Sequence, residues 1–402
     1  MQNRRVWAEI DLDALASNLN RVRALAGDGK GIMAVVKANA YGHGAVPIAW
    51  NLASQGVNAL GVGDSEEAME LRRAGISIPI LVLGTIIPGE LADVVDHDIA
   101  VTVHSSERVR RLGREALRAG RPVAVHLKVD TGMGRLGCAP GIAVEIARLI
   151  RATEFLRFDG LCTHFASASD PTMTAIQVRR FEDVSRAIEA AGIPVPPRHA
   201  AASGAILERV APHLEVVRPG IVLYGIPPSL PDTAPPDRLP PHGLEPVLTL
   251  KTQIIFLKDF EAGAPVGYEG THVTRCRTRI ATLPVGYNDG YPWSLSGRGE
   301  VLVRGHRAPV VGRISMDYLM VDVGRVPGVS VGDEVVLIGA SGDQRVTVKE
   351  LADRAGTIPY EILTRLGKRV VRTFRGGTVT APEQGFTVLR RPGVWESPPT
   401  HR

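Results

Sequence analysis

The chain has 402 residues, which exceeds the roughly 250 to 300 at which a single hydrophobic core usually stops growing, so we expect at least two domains. Hydrophobic residues make up 44% and charged residues 22%, an ordinary balance for a globular protein, and no apolar run approaches the ~18 residues of a membrane span. The net charge of +5 is small, and no dense Lys/Arg block with interleaved aromatic residues occurs, which argues against nucleic-acid binding.

The polar start MQNRRVWAEIDLD lacks the apolar stretch of a secretory signal, so a cytoplasmic protein is expected. Cys138, Cys162 and Cys276 are odd in number and far apart along the chain, which fits neither a disulfide framework nor a zinc site. The sequence therefore predicts ordinary thiols, no metal and no membrane partner.

Short apolar runs alternate with helical patterns from about residue 31 to 225, which is typical of parallel strands joined by crossover helices. The candidate strands number about eight, the number that closes a barrel: GIMAVVKAN, ALGVGD, ILVLG, IAVTVHS, VAVHLKVD, FDGLCTHFA, PRHAAAS and VVRPGIVLYG. We therefore predict an α/β fold with an N-terminal (β/α)8 TIM-like barrel over residues 8–240.

We predict the helices of this region from their capping residues and from the spacing of their apolar residues. SEEAMELRRAG and SSERVRRLGREALRAG each have a Ser near the N-cap and a Gly after the last turn. An earlier helix has apolar residues spaced by three and four positions, from Leu12 to Leu25, which places them on one buried face.

Residues 227–246 hold eight prolines, and such a segment can neither continue a helix nor lie in a central strand, so we interpret it as a linker. Short alternating strands broken by Gly and Pro follow, which predicts a mostly β second domain over residues 247–385, together with residues 1–7. TVKELADRAGTIPYEILTRLG is a helical exception, and the Pro-rich tail 390–402 is expected to be poorly ordered.

The stretch VVKANAYGHG, residues 35–44, places Lys37 at the end of an apolar run. Burial disfavours an ammonium group and lowers its pKa, so Lys37 is a candidate free amine that attacks an aldehyde and forms a Schiff base. The alternative is a lysine at a strand end whose stem packs and whose ammonium reaches water.

Polar residues collect at the predicted carboxyl ends of the barrel strands, where (β/α)8 enzymes build their active sites. They are Lys37, Lys128 with Arg135 beyond it, His164, Ser203, and Arg218 followed by Gly220. The pairs Ser203-Gly204 and Gly220-Ile221 can present backbone N–H groups to a phosphate, although each pair alone is a common turn sequence. A Schiff-base lysine and a phosphate site at one barrel mouth together suggest pyridoxal 5'-phosphate.

Seven motifs in order resemble one family: VVKANAYGHG, LKVDTGMGRLG, THFASA, VRPGIVLYG, LPVGYNDGYP, VGRISMDYLMVDV and PYEILTRLGKRV. Together they closely resemble alanine racemase, a homodimeric pyridoxal-phosphate enzyme of fold type III. The resemblance extends from WAEIDLDAL to about Arg372. It implies interconversion of L-alanine and D-alanine, which supplies D-alanine for peptidoglycan.

The resemblance also implies roles for the barrel residues. Lys37 holds the cofactor as an internal aldimine and is the base on the α-carbon of the D-enantiomer, and Tyr41 binds the phosphate. Lys128 matches a lysine that the family often carries as a carbamate, which would hold Arg135 against the cofactor and the substrate carboxylate. A structural Lys/Arg pair at the barrel rim is the alternative for these two.

Arg218 resembles the arginine that donates to the pyridine nitrogen of the cofactor. A guanidinium is a donor only, so it bonds that nitrogen only when the nitrogen carries no proton, and the ring is then a weaker electron sink. His164 and His199 fit the hydrogen-bonded chain that supports Arg218, with structural histidines as the alternative.

Racemisation needs proton exchange on both faces of a planar intermediate, and Tyr268 matches the family's second base, which reaches the barrel mouth of the other subunit. A tyrosine with a pKa near 10 is a poor base at neutral pH, so it needs a cationic or hydrogen-bonding neighbour. The resemblance assigns Met316 and Asp317 to the substrate, and Tyr287 and Tyr360 to the channel and the phosphate.

Two positions depart from the family pattern: Ala202, where many relatives carry asparagine, and Trp293, where arginine is frequent. Three rivals remain open at this point. A decarboxylase of the same fold would place an acidic residue at the pyridine nitrogen, and a non-catalytic pyridoxal-phosphate carrier would lack the β domain. Serine and broad-specificity racemases differ by a few pocket residues worth only ~1 to 3 kcal/mol.

Overall fold

The computed structural model describes residues 4–210, 214–228 and 243–377. Most of the predicted linker, residues 378–385 of the predicted β domain and the tail 390–402 lie outside these ranges. The first strand is β1 (Val6–Asp11), and the next eight strands close into a parallel barrel. These barrel strands are β2 (Gly31–Val35), β3 (Ala59–Val62), β4 (Ile80–Val82), β5 (Ala100–Val103), β6 (Val123–Lys128), β7 (Leu156–Cys162), β8 (Arg198–Ala202) and β9 (Val216–Arg218).

Helices alternate with these strands and surround the barrel, so the predicted TIM-like fold is confirmed. Asp11 begins the first helix, because its side chain accepts hydrogen bonds from two N–H groups of the first turn. The helices are α1 (Leu12–Ala26), α2 (Lys37–Tyr41), α3 (Ala45–Ser54), α4 (Ser65–Arg73), α5 (Leu91–Asp96), α6 (Ser106–Ala119), α7 (Ala143–Ala152), α8 (Pro171–Ala190), α9 (Ser203–Leu207), α10 (Val348–Ala355) and α11 (Pro359–Thr364).

The C-terminal part is mostly β, as predicted. Its strands are β10 (Leu248–Gln253), β11 (Phe256–Phe260), β12 (Pro265–Val266), β13 (His272–Val273), β14 (Thr278–Leu283), β15 (Glu300–Val303), β16 (His306–Val311), β17 (Leu319–Asp322), β18 (Glu334–Ser341), β19 (Gln344–Val346) and β20 (Val371–Arg375). All of them except the β12–β13 hairpin join one ten-stranded sheet.

The start of the chain belongs to this sheet, because β1 lies between β10, antiparallel, and β20, parallel. The buried apolar side chains of the barrel and of the sheet form one continuous cluster, so the two parts pack firmly against each other. Within the described ranges, no helix has the length and apolar character that crossing a membrane would require.

Candidate active site

A cavity of about 560 Å³ opens at the carboxyl ends of the barrel strands. Side chains from seven of the barrel's strand ends and from α11 line it, which brings most of the predicted site residues together. The predicted residues that line the cavity are Lys37, Tyr41, Lys128, Arg135, His164, Ser203, Arg218, Gly220, Ile221 and Tyr360.

Lys37 begins α2, which is a left-handed turn. Ala38, Asn39, Ala40 and Tyr41 have φ of 53°, 54°, 52° and 53°, a conformation that costs roughly 1 to 2 kcal/mol for each residue with a side chain. Consecutive left-handed residues of this kind persist only where surrounding contacts fix them, and they are typical of functional sites.

Contacts at the end of this turn supply that support. The buried His43 lies with Nδ1 3.1 Å from the Ala40 carbonyl oxygen and 2.9 Å from that of Tyr41. Because both partners are acceptors, Nδ1 carries the proton, and burial lowers the pKa of His43 to about 4. Arg372 of β20 donates from Nε to the Gly42 carbonyl oxygen at 3.1 Å, which ties the turn to the sheet.

The amine of Lys37 lies in a cationic environment. Burial lowers the pKa of Lys37, and the positive charges of Arg135 and Arg218 act in the same direction, whereas Glu67 raises it. A lysine with a depressed pKa has more of the free amine that reacts with a carbonyl group, so this environment suits a nucleophile or base.

Arg218 is almost fully buried and makes four hydrogen bonds. Its Nη2 donates to the carbonyl oxygens of Thr163 at 2.9 Å and Ala200 at 3.0 Å. The Nη2–Nδ1 distance to His164 is 3.2 Å, and the Nη1–Nδ1 distance to His199 is 2.8 Å. Arginine can only donate, so both histidines accept through Nδ1 and carry their proton on Nε2.

The histidine chain continues beyond Arg218. His199 Nε2 lies 2.7 Å from His126 Nδ1, so His199 donates there and all three histidines are neutral. Burial and the Arg218 charge lower the pKa of His126 and of His164 to about 3, and that of His199 well below its usual value. No acidic residue competes for the proton in these bonds, so Arg218 stays a cation.

Tyr41, Ser203, Gly220 and Ile221 form a small polar cradle in the same cavity. The Ser203 Oγ accepts from the N–H groups of Gly220 at 2.9 Å and Val222 at 3.3 Å, which leaves its own proton available for donation. A Cβ at Gly220 would lie 2.5 Å from the Tyr41 hydroxyl, so only glycine fits there. Burial raises the pKa of Tyr41, whose hydroxyl therefore remains a donor. Tyr360 lies beside it, with ring centroids 6.1 Å apart.

Lys128 and Arg135 share the cavity as like charges. Lys128 Nζ donates to the Leu83 carbonyl oxygen at 3.0 Å. Its pKa is lowered by burial and by the charges of Arg218, Arg135 and Lys37. Arg135 lies at the exposed rim.

Apart from Tyr360, the predicted site residues of the β domain lie outside the cavity lining. Tyr268 is 70% exposed, Met316 52% and Tyr287 45%, and in the described part of the chain none of them lines the barrel cavity. Backbone bonds from Tyr287 to the Ser315 carbonyl oxygen and from Asn288 to that of Met316 join two of these loops into one surface.

Arg369 stabilises this surface through two ion pairs. Its guanidinium bonds both carboxylate oxygens of the buried Asp289 at 3.1 Å and the Asp317 carboxylate at 2.6 Å. Asp317, predicted as a substrate contact, is therefore held by an ion pair within its own subunit.

The comparisons with known proteins agree with this geometry. Residues 10–228 match the family model described as alanine racemase, N-terminal domain, and residues 247–374 match alanine racemase, C-terminal domain. A relative named alanine racemase from Halothermothrix orenii is 43% identical over 374 residues, which cover 92% of this chain and 97% of the relative. The chain belongs to the alanine racemase family.

Solved structures show the same fold with more than one substrate name. An alanine racemase from a D-cycloserine-producing Streptomyces lavendulae has a TM-score of 0.87 at 38% identity and covers 94% of this chain and 98% of its own. A histidine racemase from Leuconostoc mesenteroides has a TM-score of 0.84 at 29% identity, with 94% and 99% coverage.

Several residues of this alanine racemase family member escaped the sequence interpretation. Glu67, His126, His43, Arg369 and Arg372 all contact predicted site residues or the segments that carry them. His43 and Arg369 lie inside the quoted motifs, so their positions were visible there. Glu67 and His126 gave no signal, because one looks like an ordinary helix-start glutamate and the other like a strand residue.

The two departures from the family pattern occupy different places. Ala202 lines the cavity. Trp293 is 51% exposed on the β domain, and the Arg313 guanidinium stacks over its ring at 5.1 Å from the centroid. Arg313 in turn pairs with Glu269 at 2.9 Å, the residue after Tyr268.

Proposed function

We propose that the protein is an alanine racemase that interconverts L-alanine and D-alanine by a two-base mechanism, with Lys37 as one base and Tyr268 of the partner subunit as the other. The observation that carries this proposal is the buried Arg218, held by neutral histidines in the cavity that contains the Lys37 amine. A decarboxylase of this fold would present a carboxylate where Arg218 lies. The D-alanine product would serve peptidoglycan synthesis.

The residues of the cavity fit pyridoxal 5'-phosphate. Tyr41, Ser203, Gly220 and Ile221 form a cradle that a Cβ at position 220 would fill, and its hydroxyl donors suit a phosphate. Lys37 lies in the same cavity as the amine that would hold the aldehyde carbon, and Arg218 supplies the donor for the ring nitrogen. Tyr360, next to Tyr41, would complete the phosphate contacts.

When bound, pyridoxal 5'-phosphate supplies a covalent link to the substrate amine and a ring that withdraws electrons from the substrate Cα–H bond. Arg218 would limit that withdrawal, because a guanidinium can donate to a ring nitrogen but keeps its own proton. This limit would favour return of a proton to Cα over loss of the carboxylate.

The proton is moved by the protein's own groups. The Lys37 amine removes or returns it at Cα on one face, and its lowered pKa keeps it free to accept. The hydroxyl of Tyr268 acts on the opposite face. Arg135, at the cavity rim, would bind the substrate carboxylate, and Lys128 would hold Arg135 if it carried a carbamate.

The second face requires a partner subunit. Tyr268, Met316 and Tyr287 are strongly exposed, and none of them lines the cavity of its own chain. A homodimer in which this surface covers the partner's barrel mouth would bury these apolar groups and add the missing base, with Asp317 held nearby by Arg369. Each active site would then contain residues of two chains.

The direct test is chiral chromatography of the purified protein with pyridoxal 5'-phosphate and a panel of L-amino acids that includes alanine, serine and histidine. We expect D-alanine to form fastest. Faster conversion of serine, or similar rates for many amino acids, would replace alanine by the serine or broad-specificity alternative. Release of carbon dioxide without racemisation would contradict the proposal.

A further inference from the structure

We propose that Glu67 is a positioning residue for Lys37, because its carboxylate joins the left-handed turn to the neighbouring barrel loop and places a negative charge near the lysine side chain. This inference rests on the proposed function, since it assigns Glu67 a part in the reaction of the same site. Glu67 lies on α4, outside every motif that carries the family resemblance.

The two oxygens of Glu67 bond two different loops of the barrel. Oε1 accepts from the Ala38 N–H at 2.5 Å, and Oε2 accepts from the Gly63 N–H at 2.7 Å. Ala38 follows Lys37 at the end of β2, and Gly63 follows the last residue of β3. Glu67 is therefore a bridge between the loop that carries the amine and the next loop around the barrel mouth.

This bridge replaces a common local hydrogen bond. Glu67 is the third residue of α4, and the N-cap Asp64 accepts its N–H at 3.0 Å. A glutamate at this position usually bonds back to the N–H of the N-cap residue. Here its carboxylate bonds Gly63 and Ala38 instead, so the side chain serves the active-site loop rather than its own helix.

The packing around Gly63 allows the Glu67 carboxylate to approach the segment that carries Lys37. A Cβ at Gly63 would lie 3.2 Å from the Glu67 Oε2 and 3.7 Å from the Lys37 Cβ. The carboxylate and the lysine side chain thus lie on the same side of Gly63.

The bond to Ala38 fixes the start of the strained turn. Ala38 is the first of the four consecutive residues with φ near +53°, and His43 and Arg372 hold the other end through the carbonyl oxygens of Ala40, Tyr41 and Gly42. Without Glu67 the first left-handed residue would lose its tether and Lys37 would lose its fixed direction.

The charges that face Lys37 come from several elements. Arg135 follows β6 and Arg218 ends β9, and both disfavour the ammonium form, whereas Glu67 of α4 favours it. Burial and Asp64 raise the pKa of Glu67, and the two N–H groups and Lys37 lower it. Lys128 of β6, His164 after β7 and Tyr41 of the turn also sense these charges. Tyr224 senses Glu67, and His126, His199 and Cys162 sense Arg218.

The test compares kcat and KM of the holoenzyme variants Glu67→Gln, Glu67→Asp and Glu66→Gln over a pH series in the D-to-L direction. Glu67→Gln removes the charge, so the ammonium form of Lys37 loses its stabilising neighbour and its pKa falls. The base then stays unprotonated to lower pH, and the acid limb of kcat is expected to move to lower pH by about one unit. We also expect kcat to fall at least about tenfold with a smaller change in KM, since one N–H of the turn faces a donor.

Glu67→Asp separates the effect of the negative charge from the effect of side-chain length, and Glu66→Gln is the control. Glu67→Asp keeps the charge but is one methylene too short to bond both loops, so it should lower kcat and leave the acid limb near the wild-type position. Glu66 is an exposed neighbour on the same helix, and Glu66→Gln should behave as wild type. Thermal unfolding of each holoenzyme identifies a variant that has lost its fold. If Glu67→Gln has lost its fold, the pH profile of Glu67→Asp tests the inference instead.

The inference is overturned if Glu67→Gln has the wild-type acid limb, or if it matches Glu66→Gln in kcat. Failure of the proposed function has a different result, because the wild-type protein would then show no racemisation of alanine. If the wild-type protein racemises alanine and Glu67→Gln behaves like the wild type, only the proposed role of Glu67 is contradicted.

Discussion

The mouth of the barrel and the exposed face of the β domain carry two kinds of active-site residue. At the barrel mouth, Arg218 and His199 are buried and hydrogen-bonded to each other, and their pKa values are shifted by burial and by neighbouring charges. On the β domain, Tyr268 and Met316 are more than half exposed.

This difference in burial indicates how the active site is divided between the barrel and the β domain. Burial and charge inside one chain are enough to prepare the Lys37 amine, because the groups that alter its pKa all come from the barrel. A phenol ordinarily has a pKa near 10, so it is a poor base at neutral pH unless a neighbouring group lowers that value. Its chemistry must be supplied by the surface that covers it, which we propose is the barrel mouth of a second subunit.

The largest expected effect is at the barrel. Lys37→Ala removes both the attachment point of the cofactor and one base, and racemisation should fall by roughly 10⁴-fold or more. Chiral chromatography measures this loss, and absorbance spectroscopy of the dialysed protein should show that retained cofactor is no longer covalently linked. Lys258→Ala, on the exposed face of the β domain, is the matched lysine control and should keep wild-type activity. A racemising Lys37→Ala variant would remove Lys37 from the mechanism.

The next largest effect is expected for a substitution in the β domain. Tyr268→Phe removes one hydroxyl and should lower the rate by about 10² to 10³-fold, as expected for loss of a general base. In deuterated solvent, exchange at Cα starting from L-alanine should suffer more than exchange starting from D-alanine. Tyr318→Phe changes another exposed tyrosine of the same domain and serves as the control. Equal losses from both enantiomers would count against two bases.

A smaller effect is expected at Arg369. Arg369→Gln breaks the ion pairs with Asp317 and Asp289, so the loop that carries Met316 loses its support. We expect KM for alanine to rise by about threefold to tenfold, equivalent to about 0.7 to 1.4 kcal/mol, with a smaller change in kcat. Steady-state kinetics measure the split. An effect on kcat alone would place Arg369 in the chemical step instead.

The last expected effect is on stability in acid rather than on catalysis. His43, His126 and His164 are neutral in the folded protein, with pKa values of about 4, 3 and 3, below the ordinary 6.5. As the pH falls below 6.5, the unfolded chain binds protons that the folded chain cannot, so the free energy of unfolding should fall, by up to about 1.4 kcal/mol per pH unit for each histidine.

This decline should continue until the pH passes the folded-state values near 4 and 3. Urea denaturation between pH 7 and pH 5 measures the slope. His126→Gln should make it shallower, whereas His306→Gln, on the exposed β-domain surface, is the control. An unchanged slope in His126→Gln would mean that this histidine does not remain neutral in the folded protein.

The sequence predicted the fold class well because its signals were local. Eight apolar runs, separated by capped helices, specified the parallel barrel, and alternating short strands specified the second part. The barrel's share of the candidate site was also predictable, since strand-end residues such as Lys37, His164 and Arg218 must meet at one mouth.

Other features depended on tertiary contacts that no local pattern encodes. The left-handed turn after Lys37 contains no glycine until Gly42, so nothing in ANAY indicates positive φ. Glu67 reaches across two loops to bond Ala38, and His126 extends the Arg218 chain through the barrel interior. Such contacts follow from the closed barrel and become visible only with coordinates.

The central claim, that one active site combines Lys37 of one chain with Tyr268 of another, is tested most directly by complementation. Lys37→Ala and Tyr268→Ala chains, each inactive alone, are co-expressed with different affinity tags, and the doubly tagged dimers are isolated. Each such dimer should contain one wild-type site and one site lacking both bases, and so recover about half of wild-type activity. Doubly tagged dimers as inactive as either parent would contradict the shared site.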